Sequence, residues 1–281
     1  ITRVRVARKS ASTPPAAARA TYMAGLQSMK GDRAMKLSGN TILITGGGSG
    51  IGRELARRWH DLGNTVIVAG RTRDALEETA EGYDNIHAMT LDVAQPGEVE
   101  RFAKEVVERF PQLNAVFNNA GIMKYEDITA SRDIGDATAE VTINLLGPIR
   151  LTDALVDHLK TRENPVIVNV TSGLAFVPQP KAATYSATKA ALHSYTLSLR
   201  QQLKGSIEVI ELAPPGVQTE LTPGQSEREG YMPLGAYIEE VMSLFQQQPT
   251  PQEVCVEFVR PFRNAEKDGK VDDFMEMLAN R

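Results

Sequence analysis

TILITGGGSGIG, residues 41–52, joins a short apolar run to a turn that is rich in glycine. Beyond it, apolar side chains recur at Ile51, Leu55, Trp59 and Leu62, the pattern of an amphipathic helix. The order strand, glycine turn, helix predicts a phosphate-binding turn, because glycines let the backbone approach a pyrophosphate and the helix N-terminus supplies unpaired N–H donors. The contacts are expected from Gly46, Ser49, Gly50, Ile51 and Gly52.

Length and composition are those of an ordinary globular protein. The chain has 281 residues, of which 42% are hydrophobic and 23% are charged. No apolar run approaches the ~20 residues that cross a bilayer, so no membrane association is expected. The single cysteine, Cys255, fits a reducing compartment, and a cytoplasmic location is expected. No metal site is expected either.

Residues 1–34 differ in charge from the rest of the chain. They hold seven basic residues and one acid, a net charge of +6, which leaves −10 for residues 35–281. An acidic body argues against nucleic acid as the main partner. The segment has the Arg- and Ser-rich composition of a targeting peptide, although Met35 is also a plausible start. We expect a disordered extension over 1–34 and a single domain over 35–281.

The end of the second predicted strand, residues 65–69, bears on which dinucleotide binds. An acid at that point accepts hydrogen bonds from a free ribose 2′-OH, whereas an arginine pairs with a 2′-phosphate. Here Gly70 is followed by Arg71, Thr72 and Arg73, with no acid. The sequence therefore favours NADP over NAD. The alternative is that Arg71 and Arg73 only solvate the start of the next helix.

Strands and helices alternate regularly through the rest of the chain. Further strands are predicted over residues 86–91, 113–117, 166–170 and 207–212, and long helices over residues 136–160 and 184–203. The alternation predicts an α/β fold, a Rossmann-type doubly wound parallel sheet of six or seven strands with helices on both faces. Asp92 follows the third strand, where it either meets an adenine edge or caps the next helix.

A second informative pattern is Tyr185-Ser186-Ala187-Thr188-Lys189. Tyr185 and Lys189 are four residues apart and share one face of a helix. A neighbouring ammonium, together with a positively charged nicotinamide, favours the phenolate and is expected to lower the pKa of the tyrosine. Ser172 lies upstream, at the end of the fifth strand. The pair and the serine are therefore candidate catalytic residues.

Taken together, these pieces resemble the classical short-chain dehydrogenase/reductase family. The matching elements, in family order, are Thr45-Gly46-x3-Gly50-x-Gly52, Asn118-Asn119-Ala120-Gly121, Asn144, Ser172 and Tyr185-x3-Lys189. The resemblance implies a Rossmann fold and an oxidoreductase that transfers a hydride between a nicotinamide cofactor and a small-molecule carbonyl or alcohol.

The resemblance also implies a role for each matching residue. Tyr185 would be the general acid/base, and Lys189 would lower the pKa of Tyr185 and hold the nicotinamide ribose. Ser172 would orient the substrate carbonyl, and Asn144 would hold a water in a proton relay. Cofactor contacts implied elsewhere are Arg71 for NADP, Asp92 for adenine, and Asn119, with Ala120 and Gly121, on the adenosine–ribose side.

The chain departs from the family pattern in two places. Pro214-Pro215-Gly216-Val217-Gln218-Thr219 has a proline, Pro215, where the family has glycine. Proline fixes φ and removes a donor, so the backbone beside the nicotinamide amide must differ, although Val217 and Thr219 are in place. The family's closing motif Gly-x4-Val-Asp-Gly-Gly is also missing. Both features resemble the DltE-like subgroup.

Residues 220–250 are expected to form a substrate lid. Their apolar side chains suit either a lid over an uncharged or partly apolar substrate or the packing of a helix onto the body. Leu174, Phe176 and Val177 are expected to line the pocket. The two long helices resemble the family's dimer interface, which predicts a homodimer. The alternatives are an NAD-preferring dehydrogenase of a sugar or amino-acid derivative and a non-catalytic NADP-binding sensor.

Overall fold

The computed structural model describes residues 35–280, so the predicted extension over 1–34 lies outside the described residues. One parallel sheet is formed by β1 (Thr41–Thr45), β2 (Thr65–Gly70), β3 (Ile86–Thr90), β4 (Leu113–Asn118), β5 (Val166–Val170), β6 (Glu208–Leu212) and β7 (Glu253–Val254). Within residues 35–280 the α-helices are α1 (Gly50–Asp61), α2 (Arg73–Ala80), α3 (Pro96–Arg109), α4 (Gly135–Val141), α5 (Gly147–Lys160), α6 (Ala183–Gln202), α7 (Leu234–Phe245), α8 (Arg260–Asn264) and α9 (Val271–Ala279).

The strand order is β3-β2-β1-β4-β5-β6-β7, and every neighbouring pair is parallel. This confirms the predicted doubly wound sheet. The chain builds the sheet outward from β1 on one side and from β4 on the other, so the order reverses between these two strands. Open parallel sheets bind ligands in the crevice at this reversal, beyond the carboxyl ends of the strands. The seventh strand is present but only two residues long.

Alternate residues of the strands point into two cores. Ile42 and Ile44 of β1 contact the layer of α1, α2 and α7, whereas Leu43 contacts the layer of α3, α5 and α6.

Trp59 of α1 lies in the first of these cores. The centroid of its ring is 5.9 Å from that of Phe117 and 5.4 Å from that of Phe245, the last residue of α7. Burial of each such aromatic side chain contributes roughly 1.5–3 kcal/mol, which fixes α1 against the sheet and aims its N-terminus at the crevice.

The predicted single helix over 136–160 is interrupted. Helices α4 and α5 are joined by a π-helical turn, Thr142–Leu146, in which the amide of Gly147 donates to the carbonyl of Thr142. The cause is Pro148, which lacks the N–H that would donate to the carbonyl of Asn144 four residues earlier. The interruption therefore falls on a predicted catalytic residue, as π-helical turns at functional sites commonly do.

Helix α7, in the predicted lid, packs onto the body of the domain. Tyr237, Val241 and Phe245 are fully buried in the first core. Of the two interpretations left open, packing onto the body therefore accounts for the apolar residues of this helix. Within residues 35–280, no helix combines the length and the apolar character that crossing a bilayer requires.

Candidate active site

The turn after β1 is shaped by glycines that no other residue replaces without strain. Gly46 and Gly50 have φ of +66° and +50°, in the left-handed region. A Cβ on Gly52 would lie 2.3 Å from the carbonyl oxygen of Gly46 and 2.6 Å from Nδ2 of Asn119. The first N–H groups of α1 have no partner within the helix and face the same turn. The turn is therefore a tight cradle with free donors.

Side chains from β1 and β4 hold the turn in place. The hydroxyl of Thr45 accepts hydrogen bonds from the amides of Asn119 and Ala120, both at 3.0 Å. The side-chain amide of Asn119 donates to the carbonyls of Thr45 (2.9 Å) and Gly46 (3.3 Å). Asn119 thus couples the ends of two strands that are adjacent in the sheet but more than seventy residues apart in the chain.

A groove crosses this turn in two connected parts. Tyr185 lines one part, which has a volume of about 320 Å³, and Arg71 lines the other, which has a volume of about 190 Å³. The groove brings together every residue predicted to contact a cofactor: Gly46, Ser49, Gly50, Ile51, Gly52, Arg71, Asp92, Asn119, Ala120, Gly121, Tyr185, Lys189, Pro215, Val217 and Thr219. Asn119 lines the part with Tyr185 and not the part with Arg71, and its expected contact with the adenosine–ribose side stays a prediction.

The two arginines after β2 have different surroundings. Arg73 pairs with Glu77 at 2.7 Å on the exposed face of α2. Arg71 lines the groove, and no side chain or backbone group within residues 35–280 forms a hydrogen bond or ion pair with it. Asp92 lines the same part of the groove, and one of its oxygens accepts from the amide of Ala94 at 2.9 Å. The groove thus has an unpaired cation at this end.

Tyr185 is buried at the other end of the groove. Burial raises the pKa of Tyr185 to about 12, and a hydrogen bond with the Ser172 side chain offsets part of that rise. The expected lowering by Lys189 is therefore not what this arrangement of side chains produces. The cause is burial, which disfavours the charged phenolate. The Lys189 ammonium lies 5.6 Å from the centroid of the tyrosine ring and donates to the carbonyl of Val170 at 2.8 Å. At neutral pH the phenol is protonated.

Lys189 is itself buried, and desolvation lowers the pKa of its ammonium to about 8. Asn144 lies nearby, fully buried in the π-helical turn. Its side chain accepts from the amide of Ile122 at 2.9 Å and donates to the carbonyl of the same residue at 2.8 Å. The amide of Asn144 thus holds the loop after β4. The proton-relay role implied for Asn144 stays a prediction.

The unusual loop after β6 is held by a residue that the sequence did not single out. The side-chain amide of Gln225 donates to the carbonyl of Val217 (2.8 Å) and to the hydroxyl of Thr219 (3.3 Å), and its oxygen accepts from Thr222 (2.9 Å). Met232 also holds this loop, because its backbone amide donates to the carbonyl of Gly216 at 2.8 Å. No local pattern marks Gln225, because its partners depend on the fold of the loop.

A separate cavity of about 260 Å³ opens beside Ser172 and Tyr185. Leu174 lines it, as expected. Phe176 and Val177 do not: Phe176 packs its ring against His193, with centroids 5.2 Å apart, and Val177 is fully buried behind the C-terminal helices. The wall is completed by residues from the loop after β6 and from the C-terminal segment: Leu221, Tyr231, Phe258, Phe262, Phe274, Met277 and Leu278.

The cysteine and the metal-binding residue types are also placed by the structure. Burial raises the pKa of the Cys255 thiol to about 12, so it is not a thiolate at neutral pH. Within the described part of the chain, no group of three or more His, Cys, Asp or Glu side chains is arranged to hold a metal ion.

Known proteins share both the sequence and the architecture. The family model of the short chain dehydrogenases matches residues 40–230. The uncharacterized oxidoreductase DltE of Bacillus subtilis is 40% identical over 235 residues, which cover 82% of this chain and 93% of that protein.

Solved structures show the same fold with different cofactors. An alcohol dehydrogenase from Thermococcus sibiricus, complexed with 5-hydroxy-NADP, has a TM-score of 0.67 and 26% identity over 76% of this chain and 92% of that chain. A short chain dehydrogenase/reductase from Burkholderia phymatum, in complex with NAD, has a TM-score of 0.73 and 21% identity over 84% of this chain and 96% of that chain. With its glycine turn, its Ser172, Tyr185 and Lys189 cluster and the extensive match to DltE, the chain belongs to the classical short-chain dehydrogenase/reductase family of NAD(P)-linked oxidoreductases, in the DltE-like subgroup.

Proposed function

We propose that this oxidoreductase uses NADP to interconvert a carbonyl and an alcohol, with Tyr185 as the acid/base. One observation carries the proposal. The protonated phenol of Tyr185 and the hydroxyl of Ser172 lie where the dinucleotide-sized groove meets an apolar cavity. A substrate in the cavity is therefore in reach of both the proton donor and a cofactor in the groove.

The groove suits a nicotinamide dinucleotide. The cradle at Gly52, which a Cβ would fill, and the free N–H groups of α1 would hold the pyrophosphate. Val217 and Thr219 would border the nicotinamide, with Pro215 supplying a rigid wall in place of the family's glycine. Lys189 would donate to the nicotinamide ribose. When bound, the nicotinamide supplies a hydride to a carbonyl carbon or accepts one from an alcohol.

The side chains at the junction provide the proton chemistry. Ser172 donates a hydrogen bond to the carbonyl oxygen of the substrate, and Tyr185 transfers its phenolic proton to that oxygen as the alcohol forms. The Lys189 ammonium stabilises the negative charge that this transfer leaves on the phenol, and solvent then restores the proton. Because burial keeps Tyr185 protonated at neutral pH, the site is set for carbonyl reduction.

The preference for NADP rests on Arg71. Its guanidinium has no partner in the described residues and lines the adenosine end of the groove, whereas Arg73 is already paired with Glu77. The alternative that Arg71 only solvates the start of α2 stays open, because its side chain is exposed, and the cofactor affinities decide between the two. An NAD-preferring dehydrogenase remains the alternative, since similar folds bind either dinucleotide.

Replacing Arg71 with alanine is expected to weaken NADPH binding about 10- to 100-fold and to change NADH binding by less than about threefold. The lost contact is a charge-assisted hydrogen bond to the 2′-phosphate, worth ~1.5–3 kcal/mol. Isothermal titration calorimetry with both cofactors measures this. Arg73→Ala is the matched control and should change neither affinity. NADH binding as tightly as NADPH in the parent protein would instead favour the NAD-preferring dehydrogenase.

We also propose a homodimer formed through α4, α5 and α6. Exposed apolar side chains on these helices support it: Val141 is 38% and Leu197 43% exposed. The double variant Val141→Glu, Leu197→Glu is expected to shift a dimeric mass to a monomeric one in size-exclusion chromatography with light scattering. At a dilution where the parent is also monomeric, a melting temperature equal to that of the parent would show that the variant is folded. A monomeric parent at micromolar concentration contradicts the proposal.

A further inference from the structure

The cavity beside Ser172 and Tyr185 has a wall that is mostly apolar and contains no charged side chain among the described residues. Its outer part consists of aromatic and methionine side chains from the C-terminal segment, in which Phe262 and Phe274 pack edge to face with centroids 5.0 Å apart. Among the described residues that line the cavity, none is Asp, Glu, His, Lys or Arg. A carboxylate, phosphate or ammonium group bound there would lose its hydration without gaining a counter-charge.

The positive charge beside this wall is turned away from the cavity. Arg228 lies behind the cavity-lining Tyr231, with its guanidinium carbon 5.2 Å from the centroid of that ring. It donates to the hydroxyl of Tyr125 at 2.6 Å and to that of Tyr231 at 3.3 Å, and it does not line the cavity. Both bonds come from one nitrogen, Nη1. An anion in the cavity is therefore disfavoured because Arg228 does not line the cavity, and not because its guanidinium is fully paired.

Besides the hydroxyls of Ser172, Tyr185 and Tyr231, two glutamines place polar groups in the wall, and they differ in their partners. Both polar atoms of the Gln225 side chain are engaged with the loop after β6. Gln179, which is 6% exposed, has a buried side-chain oxygen without any hydrogen-bond partner. An unpaired buried acceptor is unfavourable, and a hydrogen-bond donor on a bound molecule relieves it. The oxygen of Gln179 has almost no accessible surface in this arrangement, so the side-chain amide must rotate toward the cavity before a donor on a bound molecule reaches it.

We propose that the substrate is an uncharged, largely apolar ketone or aldehyde that carries one hydroxyl or N–H group, and that Gln179 recognises this group. A volume of about 260 Å³ is that of roughly nine liquid waters at ~30 Å³ each, which suits a ring compound of about a dozen non-hydrogen atoms. The proposal rests on the proposed function, because it takes Tyr185 and Ser172 as the groups that bind the carbonyl. It disfavours sugars and amino-acid derivatives as substrates.

A matched series of ketones tests this substrate class. The probes are 4-phenylbutan-2-one, its three ring-hydroxylated isomers, its three ring-carboxylated isomers, and an aldohexose. NADPH oxidation gives kcat/KM, and calorimetry gives the affinity of each probe for the NADP-loaded protein. At least one hydroxylated isomer should exceed the unsubstituted ketone tenfold in kcat/KM. The carboxylates and the hexose should be at least 100-fold poorer than the unsubstituted ketone. Equal or better kcat/KM for a carboxylate or the hexose overturns the proposal.

Two variants assign the selectivity to the wall. Gln179→Met, which keeps the length of the side chain, should abolish the advantage of the hydroxylated isomer over the unsubstituted ketone. A tenfold advantage that persists would overturn the role of Gln179. Met277→Lys adds a cation to the partly exposed rim and should improve kcat/KM for a carboxylated isomer at least tenfold. No improvement in a folded variant would show that this wall does not select by charge.

The calorimetry separates failure of this inference from failure of the proposed function. If the uncharged ketones bind the NADP-loaded protein but none oxidises NADPH, the proposed carbonyl reduction is wrong. The proposed preference of the cavity for uncharged molecules then stands. If ketones are reduced without regard to charge, the proposed function stands and the inference is wrong. Absence of both binding and turnover for the uncharged ketones overturns the inference.

Discussion

Tyr185→Phe is expected to lower kcat/KM for carbonyl reduction by about a thousandfold while NADPH affinity stays within about threefold of the parent value. The substitution removes only the phenolic oxygen, so the ring still fills its buried position beside Ser172. General acid catalysis by a positioned side chain contributes ~10²–10⁴-fold, and a phenylalanine ring has no proton to donate. Steady-state kinetics with NADPH and calorimetry measure the two quantities.

The pH dependence of this effect follows from the direction of the pKa shift. Burial raises the pKa of Tyr185 to about 12, so the phenol stays protonated from pH 6 to pH 10. Lys189, whose pKa is lowered to about 8, would stabilise the phenolate in the parent only, so its titration affects the ratio above about pH 7. The ratio of parent to Tyr185→Phe activity should therefore be constant between pH 6 and pH 7, where both Tyr185 and Lys189 are protonated. A ratio that falls tenfold per pH unit within that range would contradict Tyr185 as the proton donor in reduction.

The same variant tests the non-catalytic alternative. A pure NADP-binding sensor has no use for a buried tyrosine, serine and lysine where the groove meets a cavity. Loss of turnover with cofactor binding retained supports the enzyme. A parent protein that binds NADPH but turns over no carbonyl or alcohol, so that the variant has nothing to lose, supports the sensor.

The residues at strand ends could be predicted from the sequence because their chemistry is local. Gly46, Gly50 and Gly52 follow a strand and open a helix, and that order alone defines a turn with free N–H donors. Tyr185 and Lys189 share a helix face through their spacing. Since all parallel strands end at the same edge of the sheet, these local signals also converge in space.

Features that depend on pairing between distant segments could not be predicted. Gln225 gains its role from a loop that must first fold around it, and Gln179 is unpaired only because of what surrounds it. The pKa of Tyr185 is raised by burial, which depends on the packing of the whole site. Phe258 and Phe274 reach the cavity from the far end of the chain. For the apolar residues of 234–245, a helical pattern alone does not distinguish a lid from core packing.

Gly52→Ala should weaken NADPH binding at least 100-fold, the largest effect expected of a single methyl group in this protein. The added Cβ would lie 2.3 Å from the carbonyl oxygen of Gly46 and 2.6 Å from Nδ2 of Asn119. Neither is the free end of a flexible side chain: one is backbone, and the other donates to the carbonyls of the turn. The turn must move, and with it the N–H groups that would hold the pyrophosphate. Forcing an extra methyl into such a site costs ~1–3 kcal/mol of stability as well.

Gly97→Ala separates this local effect from the general effect of alanine in a helix. Gly97 also lies in the first turn of a helix, α3, but a Cβ there would meet nothing within 4 Å. That substitution should leave NADPH affinity unchanged and stabilise the fold by ~0.4–1 kcal/mol, because it restricts the unfolded chain.

Thermal unfolding with and without NADPH measures both effects. A ligand at 100 times its Kd adds ~2.7 kcal/mol of stability, which the Gly97 variant should keep and the Gly52 variant should lose. If Gly52→Ala retains the NADPH-dependent rise in melting temperature, the turn yields to a methyl group, and the cradle after β1 does not hold the pyrophosphate by close approach of its backbone.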